Sequence, residues 1–154
     1  MKTVIFVGST AFSGSTFFHM ILANDPKGFS CGEVRSLFYP YRTQHVEPVC
    51  GCGQEDCDIW PKVRERGADR LYETLFEIFP EIEFAVDSSK NPFWFQSQTE
   101  KLQRKGIQVR NILIWKSPLE FAYSCKRRNQ FAGWDERWIE YHRRYFSVID
   151  EWRA

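Results

Sequence analysis

The sequence predicts an α/β domain of three layers, a parallel β-sheet flanked by helices. Three observations carry that expectation. Short apolar runs recur at residues 3–7, 84–86 and 109–115. Segments with helical spacing of apolar residues lie between them. A loop of small residues joins the first run to the first of those segments. Strands alternating with helices build a parallel sheet, because each parallel connection needs a crossover long enough to hold a helix.

Taken in order, Thr3-Val4-Ile5-Phe6-Val7 is a nearly uninterrupted apolar run, the pattern of a strand buried on both faces. Residues 16–23 follow as a helix. Pro26-Lys27-Gly28 and the stretch from Pro40 to Pro61 read as loops, since Pro and Gly break both periodicities. Residues 71–79 form the next helix, 84–86 a strand, 93–105 a helix and 109–115 a third strand. A single long helix is expected from Leu119 towards Trp152, with Pro118 in its first turn, where the missing N–H costs nothing. The chain shows no repeat, low-complexity tract or linker, so its 154 residues read as one domain, 1–154.

Composition excludes several classes. Hydrophobic residues at 43% and charged residues at 27% are ordinary for a globular domain, which removes disordered and fibrous chains. The net charge of +1 gives no footprint for nucleic acid. Residues 101–154 nevertheless carry 12 Lys and Arg against 6 Asp and Glu, enough for a local anion site. No apolar run approaches the ~20 residues of a membrane span. The start, broken at Gly8-Ser9-Thr10, is too short in apolar residues for a secretory leader, which points to a cytoplasmic protein.

The most informative segment is Gly8-Ser9-Thr10-Ala11-Phe12-Ser13-Gly14-Ser15-Thr16, set between a strand and a helix. A small-residue loop there leaves backbone N–H groups converging at a helix N-terminus, an arrangement that binds phosphate. The loop is P-loop-like, but Ser15 stands where a P-loop has its Lys, the group that neutralises the β- and γ-phosphates of ATP. The plain alternative is a turn that merely links strand to helix.

A second anion signal lies at the end of the third strand, where Lys116 is followed by a helix start. Ser124 comes eight residues later, and Arg128 lies four beyond it on the same helical face. A cation, a hydroxyl and a guanidinium form a plausible phosphate site at the sheet edge where open α/β folds bind ligands. The alternative is a solvated basic helix.

With phosphate sites at two ends, the sequence resembles the sulfotransferases that use 3′-phosphoadenosine-5′-phosphosulfate (PAPS), in particular their bacterial and tyrosylprotein branches. Ser13-Gly14-Ser15-Thr16 resembles their 5′-phosphosulfate loop, and Lys116 with Ser124 resembles their 3′-phosphate motif. Cys31-Gly32-Glu33, Asp87-Ser88-Ser89-Lys90-Asn91-Pro92 and the Cys50-Cys52-Cys57-Trp60 stretch follow in the family's order. The resemblance implies PAPS as co-substrate, 3′-phosphoadenosine-5′-phosphate (PAP) as product, and a small-molecule, glycan or peptide hydroxyl as acceptor. It assigns Ser13, Gly14, Ser15, Thr16, Lys116 and Ser124 to the nucleotide and Glu33 to the role of general base, and the helical spacing adds Arg128 to the 3′-phosphate end. No metal is implied, since Lys, Ser and backbone donors balance the phosphates.

Two departures matter. Phe12 stands where the family has a cation, and Lys90 is the candidate replacement, its bland alternative being a helix-capping segment. Family members also run past the length of this chain, so the resemblance implies either a fragment lacking a C-terminal segment or a minimal form. Two other readings stay open: a PAPS- or PAP-binding relative with weak or no activity, and a P-loop kinase.

His19, in an apolar helix, reads as a packed histidine, and His142 as part of a helix face. Cys50, Cys52 and Cys57 lack a paired zinc spacing. A zinc site completed by His45 or Cys31, a disulfide, and free thiols are the alternatives, and a reducing cytoplasm favours the last. Phe93, Trp94, Phe95, Phe131, Trp134 and Trp138 suit an acceptor cleft or a core equally.

Overall fold

A computed structural model of the chain describes residues 1–41 and 56–152, with side chains through residue 147. Among these residues, β1 (Thr3–Ser9), β2 (Gly28–Gly32), β3 (Phe84–Asp87) and β4 (Gln108–Ile114) form one all-parallel sheet in the order β2-β3-β1-β4. Seven helices flank it in a three-layer α/β arrangement: α1 (Ser15–Leu22), α2 (Arg35–Phe38), α3 (Ile59–Arg66), α4 (Leu71–Ile78), α5 (Pro92–Arg104), α6 (Pro118–Arg127) and α7 (Trp134–Trp152).

The apolar first run takes the central place. Val4, Phe6 and Val7 are fully buried, and Ile5 pairs with Val86 on one side and Arg110 on the other. Phe6 stacks on Phe95 and meets Tyr72 edge-on, with centroids 4.6 and 5.9 Å apart. Gly8 is dictated by packing, because a Cβ there would lie 2.6 Å from Cε1 of Tyr145.

Three expectations are corrected. Gly28 opens β2 rather than belonging to a loop; the strand follows a turn in which the Lys27 N–H donates to Asp25 Oδ1. The stretch from Pro40 to Pro61 ends inside α3: Pro61 is its third residue, where the N–H has no intrahelical acceptor to lose. The long helix beyond Leu119 is two helices, α6 and α7, separated where Asn129 and Gly133 adopt left-handed φ of 54° and 61°. Among the described residues, no helix is long and apolar enough to cross a membrane.

Since all strands run the same way, the segments following β1, β2, β3 and β4 gather at one edge of the sheet. That edge carries the site.

Candidate nucleotide-binding site

A cleft of about 940 Å³ opens at this edge. It brings together Gly14, Ser15 and Thr16 from the β1 loop, Glu33 after β2, Lys90 after β3, and Lys116, Ser124 and Arg128 from the β4–α6 arm. Residues separated by more than a hundred positions thus share one cavity. Of the candidate site residues, Ser13 alone is not in the lining.

The β1 loop leaves the N-terminus of α1 open to the cleft. Gly14 is the N-cap of α1 at φ 87°, a conformation that favours glycine, and no side chain caps the helix. Open space lies where a Cβ would stand. Thr10 Oγ1 and Ser13 Oγ are buried without hydrogen-bond partners among the described residues. A buried hydroxyl left unpaired costs roughly 1–3 kcal/mol, so these two are sites where a ligand or water oxygen is favoured.

Phe12, also left-handed at φ 60°, is the meeting point of the two arms. Lys116 Nζ donates to the Phe12 carbonyl at 2.6 Å and to Ser124 Oγ at 2.7 Å. The Arg128 guanidinium lies 4.6 Å from the centre of the Phe12 ring, a cation–π contact. Position 12 has no charge of its own, yet its carbonyl and its ring hold two cations beside the loop.

On the opposite wall, Lys90 Nζ and Glu33 Oε1 form an ion pair at 2.5 Å, with the lysine side chain 18% exposed and the glutamate 35%. Tyr41 donates to the other Glu33 oxygen at 3.0 Å. Lys90 adopts φ 54°, and the N-cap of α5 is Asn91 rather than a Ser or Asp of the preceding segment, its side chain accepting from Trp94 N–H. The two residues assigned to chemistry are therefore in direct contact.

Beneath this wall lies a buried network. Fully buried Asp87 accepts from Tyr72 OH at 2.6 Å, from Trp94 Nε1 at 2.8 Å, and from both N–H and Oγ of Ser89 at 2.7 and 2.5 Å. Burial pushes its carboxyl up, and the four donors pull it back. Ser89 Oγ in turn accepts from Arg35 N–H at 2.9 Å, which ties the β3 loop to α2. Cys31 is buried nearby, and burial raises its thiol well above the ordinary value, so it is inert.

His19 is buried in α1, its Nδ1 2.8 Å from Ser88 Oγ. Burial lowers its pKa below 6.5, and the Lys90 ammonium lowers it further. The unfolded chain therefore binds a proton at a pH where the folded chain does not. This contribution is complete above 6.5 and is lost as pH falls from there through the depressed folded value. Urea midpoints measured from pH 7.5 down to 5 are expected to fall more steeply for the wild type than for His19→Gln. Parallel slopes would contradict the assignment.

The aromatic residues divide clearly. Trp94 and Phe95 are core residues, Phe93 is exposed away from the cleft, and the rings that line it are Phe12, Phe17, Tyr41 and Tyr141. Arg35, Ser89 and Tyr141 also line it and were not candidates. Arg35 had a local signal, a cation two residues after Glu33, whereas Tyr141 is brought in only by the docking of α7. His45, Cys50 and Cys52 lie outside the described residues. Among those described, Cys31, Cys57 and Cys125 form no disulfide, and no cluster of His, Cys, Asp and Glu can hold a metal ion.

No protein-family model matches the sequence, and no curated protein matches it.

Proposed function

We propose that the chain is a sulfotransferase domain that binds PAPS across the C-terminal edge of the sheet and passes the sulfuryl group to an acceptor hydroxyl. The observation that carries this reading is the convergence of Lys116 and Arg128 on Phe12, with Ser124 bonded to Lys116, which joins the β1 loop and the β4–α6 arm in one cleft. The residues fit such a nucleotide. The cleft volume lies within the ~300–1,000 Å³ of small-molecule sites, and the N-terminus of α1, which opens into it at Gly14 and Ser15, carries no side-chain cap.

In this reading Gly14, Ser15 and Thr16 hold the 5′-phosphosulfate end, and Lys116, Ser124 and Arg128 hold the 3′-phosphate. Lys90 balances charge building on the leaving phosphate oxygen as its bond to sulfur breaks. Glu33 takes the acceptor proton as the new oxygen–sulfur bond forms. The existing ion pair sets base and cation side by side at the cleft wall.

Calorimetric titration with PAP, with ATP and 5′-AMP as controls, tests the binding half. Selective PAP binding is expected to weaken about 10- to 100-fold in Lys116→Ala, the worth of a charge-assisted hydrogen bond, and several-fold in Ser124→Ala. No binding, or a preference for Mg-ATP, sinks the proposal. Phe12, where a cation is expected, favours a second reading: a PAP-binding relative without turnover. Normal PAP affinity with no sulfate transfer across an acceptor panel identifies it.

A further inference from the structure

Three side chains on one face of α7 each bond to a different strand end. Trp138 Nε1 donates to the carbonyl of Lys116 after β4 at 2.8 Å. Tyr141 OH donates to the carbonyl of Lys90 after β3 at 2.7 Å. Tyr145 OH accepts from the N–H of Ser9 at the end of β1, 3.2 Å away. The spacings of three and four residues place all three on one stripe of the helix. A single helix thus reads the position of every strand end that lines the cleft except that of β2.

We infer that Tyr141 is a positioning residue that fixes Lys90 in the cleft through the Lys90 backbone. Lys90 sits at φ 54°, a conformation a lysine adopts only when its surroundings impose it. The Tyr141 hydroxyl is the bond that α7 makes to this residue, and the Lys90 ammonium reaches Glu33 from the backbone so held. Burial and the neighbouring Tyr145 hydroxyl push the Tyr141 phenol far up, so it remains a donor at every working pH. The ring of Tyr141 lies 5.3 Å from that of Tyr145, and a phenylalanine retains this packing while losing only the hydroxyl. For catalysis the inference rests on the proposed sulfotransferase reading; the positioning of Lys90 does not.

The test is competitive acetylation of lysines with acetic anhydride, read by peptide mass spectrometry in wild type, Tyr141→Phe and Trp138→Phe. Lys90 is expected to acetylate about fivefold faster in Tyr141→Phe, the equivalent of one lost hydrogen bond, with Lys116 unchanged. In Trp138→Phe the pattern reverses, with Lys116 more reactive and Lys90 unchanged. Unaltered Lys90 reactivity in Tyr141→Phe overturns the inference. So does a rise in both lysines in both variants, since α7 is then only a general support. Where the wild type turns over PAPS, Tyr141→Phe is further expected to lose about tenfold in kcat with KM for PAPS unchanged; an equal kcat overturns the catalytic part. A wild type without PAPS turnover counts against the sulfotransferase reading, and the acetylation pattern still decides whether Tyr141 fixes Lys90.

Discussion

Lys90→Ala is expected to lower sulfuryl transfer by about 10²- to 10³-fold, the usual consequence of removing one preorganised charge-stabilising donor. PAP affinity should stay within about threefold, because the groups assigned to the phosphates belong to the β1 loop and the β4–α6 arm. The side chain pairs with Glu33 and makes no other described hydrogen bond, so its loss removes charge without dismantling the wall. Glu33→Gln leaves the ammonium without its carboxylate and removes the proposed base. If the two groups act as a pair, the double variant should be no worse than the more damaging single one. Single-turnover rates with labelled PAPS separate the outcomes. Turnover of Lys90→Ala equal to wild type would remove Lys90 from the chemistry, and a parallel loss of PAP affinity would make it a binding residue.

The largest effect on stability is expected at Asp87. Its carboxylate is fully buried and serves four donors, so Asp87→Ala strands the Tyr72 hydroxyl and the Trp94 indole N–H in a dry core. At ~1–3 kcal/mol for each orphaned donor, offset in part by removal of a buried charge, the expected loss is about 2–5 kcal/mol. Urea denaturation followed by tryptophan fluorescence measures it. Asp87→Asn keeps one acceptor oxygen and places an NH₂ against other donors, so it should fall between wild type and alanine. The damage should extend to the site, because Ser89 joins Asp87 to the Arg35 backbone and Lys90 follows directly. A loss below about 1 kcal/mol would mean that the four donors find other partners.

Much of this architecture was legible in the chain, for identifiable reasons. β1 and β3 are apolar runs because they are the two central strands of the parallel sheet, whereas β4, an edge strand, is legible only through its own run Ile112-Leu113-Ile114. β2 was missed because Gly28-Phe29-Ser30-Cys31-Gly32 is an edge strand, half solvated, with only Cys31 buried. Its Gly content reads as loop although its backbone pairs in register with β3 until the shift between Ser30 and Gly32. α3 was hidden by Pro61, a breaker in the interior of a helix but harmless in its first turn. The break at Asn129 was invisible for the opposite reason: no proline marks it, and its φ is set by the chain reversing from α6 to α7.

The site divides in the same way. Ser15, Thr16, Lys116 and Ser124 were readable because each lies at a fixed offset from a strand end, and the topology then brings those ends together. Contacts between distant elements left no local mark. Nothing near position 12 announces that its ring will carry Arg128, and nothing near position 141 announces Lys90. The direct contact of Lys90 with Glu33 belongs to this second kind, although both residues were singled out separately.

The strand order has a consequence for how the molecule is born. β1 spans Thr3–Ser9, but its neighbours are β3, at Phe84–Asp87, and β4, at Gln108–Ile114. A ribosome adding roughly 5–20 residues per second takes about 5–20 s to make the hundred residues that separate β1 from β4. Throughout that interval the most apolar strand of the sheet has one flank or both unpaired, and the loop that follows it has no opposing wall. Ser9 waits longer still, until Tyr145 emerges. Of the four strands, the one made first is thus among the last to be enclosed, and it spends that time as an apolar strand without its neighbours.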